Sequence, residues 1–461
     1  MCLRGLKSGL PPLERQKGEK MEKRNFLWRF ISVVLICGMT VIGCFLPEPE
    51  EEGSSGGPSG GPSGGNQGQV VKPTADPDGG SVLSGREITL ATTTAGATIY
   101  YTLDGTTPTT SSTEYDYWLK PEITSSCTLK AIATKSGMTN SEVLSVWYTA
   151  VAMPAFSPVT STVALFNYGI NAVAYGNNRF VAVGNGGIAY SSNGTTWTKP
   201  TGNNADFVAY GITYGTQFFA VGVSGTICYS SDGTSSWNPV GDSTFGSSNI
   251  RDIAYGGGRY VAVGDSGKIA TSTNGTTWTA ITNSTFGTST IYGITYGDSK
   301  FVAVGADGKM AYSINGTTWT AVTNSSSTTA INGITYGGAI GKEQFIAVGS
   351  STYIAYSTDG VTWTKVNSGY YSVGLKGIVW GGNKYVAVAS AGVMLVSLDG
   401  INNWSRIEGG IGSGKSQMDD TDAILFVSSI NGIAYGGGKF LAVGSKNTGL
   451  GTSTGEMAIS N

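Results

Sequence analysis

Histidine is absent from all 461 residues of the chain. That one absence excludes a histidine general base, the Ser-His-Asp and Cys-His nucleophile arrangements, and the commonest metal ligand. Charge is also sparse, at 13% of residues with a formal net charge of −2, so no basic face invites nucleic acid. Five cysteines (Cys2, Cys37, Cys44, Cys127 and Cys228) include no CxxC pair, which leaves zinc and dithiol redox motifs without support. Cys127 and Cys228 fall in different expected domains and read as small buried residues rather than a disulfide. No cofactor is expected.

Glycine, by contrast, is abundant at 70 residues, while 40% of the chain is hydrophobic. Disorder would lack the apolar residues; many short strands joined by tight turns need both. The longest uncharged apolar run is short. MEKRNFLWRF (21–30) is basic, and the core from Phe30 to Gly43 is 14 residues, short for a membrane span and suited to a signal peptide. Met21 reads as the better start. The run closes on Val41-Ile42-Gly43-Cys44, which resembles the bacterial lipobox. The resemblance implies diacylation of Cys44 and a protein anchored to a bilayer in the bacterial cell envelope, outside the cytoplasm. An ordinary secretory signal or a lone anchor helix is the competing reading. Residues 1–43 are thus read as the signal peptide, and 44–69 as the lipidated cysteine with a Gly/Ser/Pro-rich tether. Such a tether of about 25 residues reaches roughly 25–30 Å.

From 70 to 150 the pattern changes to short alternating strands, REITLATTT, ATIYYTLDG, CTLKAIATKSG and SEVLSVWYTA, with Asp104-Gly105 and Ser136-Gly137 at hairpin-like positions. An antiparallel sandwich is expected. The lines GATIYYTLDGTTPTTSSTEY and TLKAIATKSGMTNSEVLSVWY resemble the chitobiase/hexosaminidase C-terminal module, on Tyr100, Tyr101, Asp104, Gly105 and Pro108. That resemblance implies an immunoglobulin-like accessory module, not a catalytic one.

The remainder, 151–461, repeats with a period near 41 residues. Trp197, Trp237, Trp278, Trp319, Trp363 and Trp404 are 40, 41, 41, 44 and 41 residues apart, and a strand of the type FVAVG recurs seven times. Seven such strands against six tryptophan strands leaves one unit short. AFSPVTS (155–161) aligns with TWTAITN (277–283) and supplies the missing strand from the other end, closing a ring and removing open edges. The expected fold is all-β, a seven-bladed β-propeller preceded by a small immunoglobulin-like β-sandwich.

One position in each repeat invites a chemical reading. It is Asp at Asp232, Asp359 and Asp399 but Asn at Asn193, Asn274 and Asn315. An amide cannot serve as acid, base or nucleophile, so these six are read as structural turn residues, each paired with glycine as in a two-residue hairpin turn. The lines resemble the Asp-box, or neuraminidase repeat, S-x-D-x-G-x-T-W, without the spacer between acid and glycine. That family includes sialidases, which need three arginines and a Tyr/Glu pair. The repeat region offers only Arg179, Arg251, Arg259 and Arg406, and only Glu343, Glu408 and Glu456. No catalytic residue is assigned. Asp419, Asp420 and Asp422 form the densest acidic point, a weak calcium candidate read as a solvated loop. Phe207, Phe245, Phe286, Tyr370 and Tyr371 lie in the links between repeats and form a possible ligand face. The reading is a non-catalytic, surface-anchored binding or scaffold lipoprotein whose partners are a bilayer through Cys44 and a polysaccharide or protein. A glycan-processing hydrolase with a divergent site is the alternative.

Overall fold

The computed structural model describes residues 68–159, 166, 168–201, 206–325, 327–366, 373–407, 429–447 and 453–460. The signal, lipobox and most of the tether therefore lie outside the described residues.

The first domain is a sandwich, but of mixed direction. Its larger sheet holds Gly80–Leu83, Leu144–Val151, Cys127–Thr134, Thr98–Thr102 and Thr113–Glu114, in that order. Gly80–Leu83 runs parallel to Leu144–Val151, so the expected all-antiparallel pattern is corrected there. A parallel pair needs a long connection, and the two strands are separated by most of the domain. The stretch REITLATTT is not one strand. It breaks at the buried Ile88, so that Arg86–Glu87 pairs with Glu122–Ile123 and Thr89–Ala91 pairs with Thr74–Asp76. Nor are Asp104-Gly105 and Ser136-Gly137 tight hairpins. Each opens a longer loop, with glycine φ of +77° at both Gly105 and Gly137, a conformation that other residues seldom adopt.

The repeats then form seven sheets among the described residues. Each has an inner strand such as Ile250–Gly256, a middle strand such as Arg259–Gly264 and a third such as Ile269–Ser272, joined antiparallel. Most carry a short fourth. The middle strands read as unbroken apolar runs because both faces are covered by neighbouring sheets. Phe180, Val181, Ala182 and Val183, for example, are all buried.

Adjacent sheets lock through a Tyr-Gly pair at the end of each inner strand. A side chain added at Gly256 would meet the Tyr296 ring at 1.9 Å, and one at Gly297 would meet Tyr336 at 2.0 Å. The same seating holds Tyr214 on Gly176, Tyr255 on Gly215, Trp380 on Gly337 and Tyr435 on Gly381. A side chain added at the last glycine, Gly436, would likewise meet the Tyr175 ring of the first sheet at 1.9 Å. Each seated ring also packs on an aromatic residue of its own middle strand, as Tyr296 does on Phe301 with centroids 4.7 Å apart. The final sheet contains Ser429–Gly436, Lys439–Asn447 and Ser453–Ser460, and takes its outer strand, Phe156–Pro158, from just after the sandwich. The register is Phe156 opposite Ser460, Ser157 opposite Ile459 and Pro158 opposite Ala458.

Cys127 and Cys228 are both free thiols, the second buried, and burial pushes the Cys228 thiol up to about 11.

Candidate functional site

The repeated Asn/Asp turn does its work with one oxygen. Asp359 Oδ1 accepts from the N–H of Val361 at 2.8 Å and of Thr362 at 2.7 Å. Asn274 Oδ1 accepts from Thr276 and Thr277 at 3.0 and 2.9 Å. Asn193, Asp232, Asn315 and Asp399 repeat the pattern. The serine two residues earlier donates to that oxygen and accepts from the glycine N–H, as Ser357 does for Gly360 at 2.8 Å. Of each Asn/Asp-Gly pair only the glycine has positive φ, +70° at Gly360. The expected two-residue hairpin, with both central residues at positive φ, is therefore replaced by a wider loop in which the side-chain oxygen stands in for a backbone acceptor. For Asp359, burial opposes ionisation, but the N–H groups of Thr362 and Val361 outweigh it and hold the carboxyl at about 2. The indole N–H of Trp363 donates to Gly360 O, so the buried tryptophan pins the loop.

Two of the five link aromatics, Phe245 and Phe286, are not part of an exposed ligand face. Phe245 and Phe286 are each only 1% exposed. They plug the gap under the turn between second and third strands, and their carbonyls accept from Lys268 and Lys309 Nζ at 2.7 and 2.9 Å. Both sit in the sequence STFG at the same place in successive repeats, where a large apolar ring is better buried than solvated. Phe207 is half-buried against its sheet's core. Tyr370, Tyr371, Asp419, Asp420 and Asp422 lie outside the described residues.

On that face, the second residues of the inner strands form a rim. Asn171, Asn332 and Asn431 donate their amides to Ala209, Leu375 and Ile170 carbonyls of the next sheet at 2.7, 2.7 and 2.9 Å. Tyr210 and Arg251 occupy the same position in other repeats. Arg251 pairs bidentately with Asp265 at 2.7 and 3.0 Å and lies 4.8 Å over the Tyr210 ring. Hydrogen bonding to Asp265 raises its already high pKa. Next to it Asp252 stands where other repeats have glycine or alanine. Its carboxyl accepts from Ile253 N at 2.8 Å and from Ile294 N of the neighbouring sheet at 3.0 Å. Desolvation pushes it up to about 7, against those two hydrogen bonds.

A cavity of about 760 Å³ lies between the sandwich and the opposite face of the repeats. Arg86, Lys342, Trp380, Asn383, Asn402 and Asn403 are among its lining residues. Trp380 takes the place held by tyrosine in the other six Tyr-Gly pairs. Arg86 Nε is buried without a hydrogen-bond partner, which leaves that donor's desolvation uncompensated. Among the described lining residues the one carboxylate is Asp399, and its Oδ1 is engaged by its own turn at 2.8 and 2.9 Å. The sequence signal for this site was the Tyr-to-Trp exchange at Trp380; the contribution of Arg86, some 300 residues away, carries no local signal.

These features define an all-β protein with a propeller-like domain and an immunoglobulin-like one. Residues 77–145 match the family of the chitobiase/beta-hexosaminidase C-terminal domain, and residues 209–336 match the DUF6242 beta propeller domain. No curated protein matches the chain. Among solved structures it is similar to "YCF48 bound to D1 peptide", at 16% identity and TM-score 0.50 over 68% of this chain and 98% of that one. "YCF48 from Cyanidioschyzon merolae" follows at 15% identity and TM-score 0.47 over 66% of this chain and 98% of that one. The WD40 beta propeller domain of Doa1 is 12% identical, with TM-score 0.48 over 67% of this chain and 97% of that one. At 16% identity the likeness to the first of these is one of fold alone.

Proposed function

We propose that the chain is a non-catalytic binding lipoprotein of the bacterial cell envelope, a closed ring of seven blades that holds an acidic polysaccharide in the cleft beside its sandwich. The observation that carries the reading is the cleft itself: one indole, several amides and an arginine with an unsatisfied buried N–H, lining the same groove. Indole faces stack on sugar rings, amides exchange hydrogen bonds with hydroxyls, and a guanidinium recognises carboxylates. The acid–base pair that glycoside hydrolysis needs is not among the described lining residues, which favours binding over turnover. Cys44 is the anchor in this reading, and the run from 45 to 69 is the spacer.

Affinity electrophoresis in gels containing polygalacturonate, beside gels with a neutral glucan, tests the ligand class. Retardation by polygalacturonate is expected, weakened about tenfold or more in Arg86→Met, with no release of reducing ends. Equal mobility in both gels would contradict the ligand assignment, and release of reducing ends would favour the hydrolase.

A further inference from the structure

We infer that the loop at residues 116–120 of the sandwich is a membrane-facing tip that inserts its aromatic residues into the surface of the bilayer carrying the anchor. The inference rests on the proposed lipid anchoring at Cys44.

The loop exposes three large apolar residues in succession: Tyr117 at 61%, Trp118 at 88% and Leu119 at 76%. It is held in shape. Asp116 Oδ1 accepts from Trp118 N at 2.8 Å, and Asp116 O accepts from Leu119 N at 3.2 Å. Tyr117 and Trp118 meet edge to face at 5.3 Å. Lys120 Nζ lies 4.8 Å over the Tyr117 ring and donates to Thr89 Oγ1 at 3.1 Å. A rigid turn that keeps an indole, a phenol and an isobutyl group in water is unfavourable unless something covers them.

The topology says which surface lies nearby. Strand Thr98–Thr102 begins at the end of the sheet that it shares with Thr134, and Tyr115 N donates to Ile99 O there. The loop at 116–120 leaves from this end. The chain enters at the same end, where Val70 N donates to Thr139 O and Val71 N to Thr94 Oγ1. The opposite end is occupied: Leu83 packs in the cluster of Phe156 and Val386, and Lys384 Nζ donates to Ala152 O. The eight residues of Cys127–Thr134 separate the two ends, roughly 25 Å at about 3.3 Å per residue. The tip therefore sits on the side from which the tether arrives, away from the propeller. Only 23 residues separate Cys44 from Gly68, so that end stays within a few tens of ångströms of an anchored cysteine. Trp and Tyr favour the headgroup region, Leu the acyl boundary, and the exposed Lys72 and Lys135 favour anionic headgroups. Leu119, which offers no face for sugar stacking, favours lipid over polysaccharide.

The test uses the mature chain from residue 44 with Cys44→Ser, so that neither the signal peptide nor an acyl chain contributes, and co-sedimentation with vesicles of phosphatidylethanolamine and phosphatidylglycerol. Measurable binding is expected, reduced at least tenfold by Trp118→Ser with Leu119→Ser, at unchanged melting temperature. Binding that is absent, or unaffected by the double change, overturns the tip. So does a double variant that keeps vesicle binding and loses polygalacturonate. Palmitate labelling of the wild-type chain in cells reads the anchor separately: label without tip-dependent vesicle binding leaves the anchor and removes the tip, and the reverse removes the anchor and the stated reason for the tip's orientation.

Discussion

Gly436→Ala is expected to destabilise the protein as much as Gly256→Ala does. Neither glycine adopts the left-handed conformation, so the backbone itself tolerates alanine; the space does not. An added Cβ would lie 1.9 Å from the Tyr175 ring at Gly436 and 1.9 Å from the Tyr296 ring at Gly256. Overpacking of this kind costs roughly 1–3 kcal/mol, and for a domain of this size each kcal/mol lowers Tm by about 2–4 °C. A fall of roughly 2–12 °C by calorimetry is the expected result for both. Gly241, with nothing within 4 Å of an added Cβ, is the control and should tolerate alanine within about 0.5 kcal/mol. The pair of variants separates a ring from an open array. In a ring, the seat between last and first sheets carries the same load as the seat between middle ones. In an open array, Gly436 would face solvent and its substitution would be silent.

The second large effect concerns pH. Asp252 titrates near 7 in the folded protein against an ordinary 3.8, so folding favours its protonated form. Its contribution is intact below about pH 4, declines as the pH rises toward 7, and is fully lost above. Each unit of difference corresponds to about 1.4 kcal/mol, and the loss over roughly three units is on the order of 4 kcal/mol. Asp252→Gly restores the residue that stands at this position in most other repeats. It should be more stable than wild type at pH 8, similar at pH 4, and lack the wild-type decline between them in urea titrations. A variant with the wild-type pH profile would show that Asp252 is not the group responsible.

Much of the architecture was legible because it repeats. The Tyr-Gly and FVAVG lines recur in register, and the shortage of one outer strand pointed to 155–161, of which the structure pairs Phe156–Pro158 with the final strand. Asp359 was legible as non-catalytic because asparagine replaces it elsewhere, and the observed work of accepting two N–H bonds is one that both side chains perform. The turn geometry was not legible, since Asn-Gly is the signature of a two-residue hairpin and here the side chain reaches two and three residues forward instead. Phe245 and Phe286 read as part of a ligand face because they lie in links between repeats, yet both are buried; their recurrence within STFG is the mark of a core position. The mixed direction of the sandwich was hidden for another reason. A four-residue strand such as Gly80–Leu83 carries no mark of its partner, and the choice is made by long-range packing. The cleft and the tip depend on residues far apart in sequence or on exposure, neither of which a periodicity reports.

Closure of the ring is best tested by joining its ends covalently. Ser157 and Ile459 face each other in the antiparallel pair, where Cα atoms lie about 4.5–5.5 Å apart, within disulfide range. A Ser157→Cys, Ile459→Cys chain should oxidise to an intramolecular disulfide, migrate faster without reductant, and melt several degrees above its own reduced form. Cysteines that stay open to alkylation in the folded protein, or that link only between molecules, would contradict a ring sealed by these two strands.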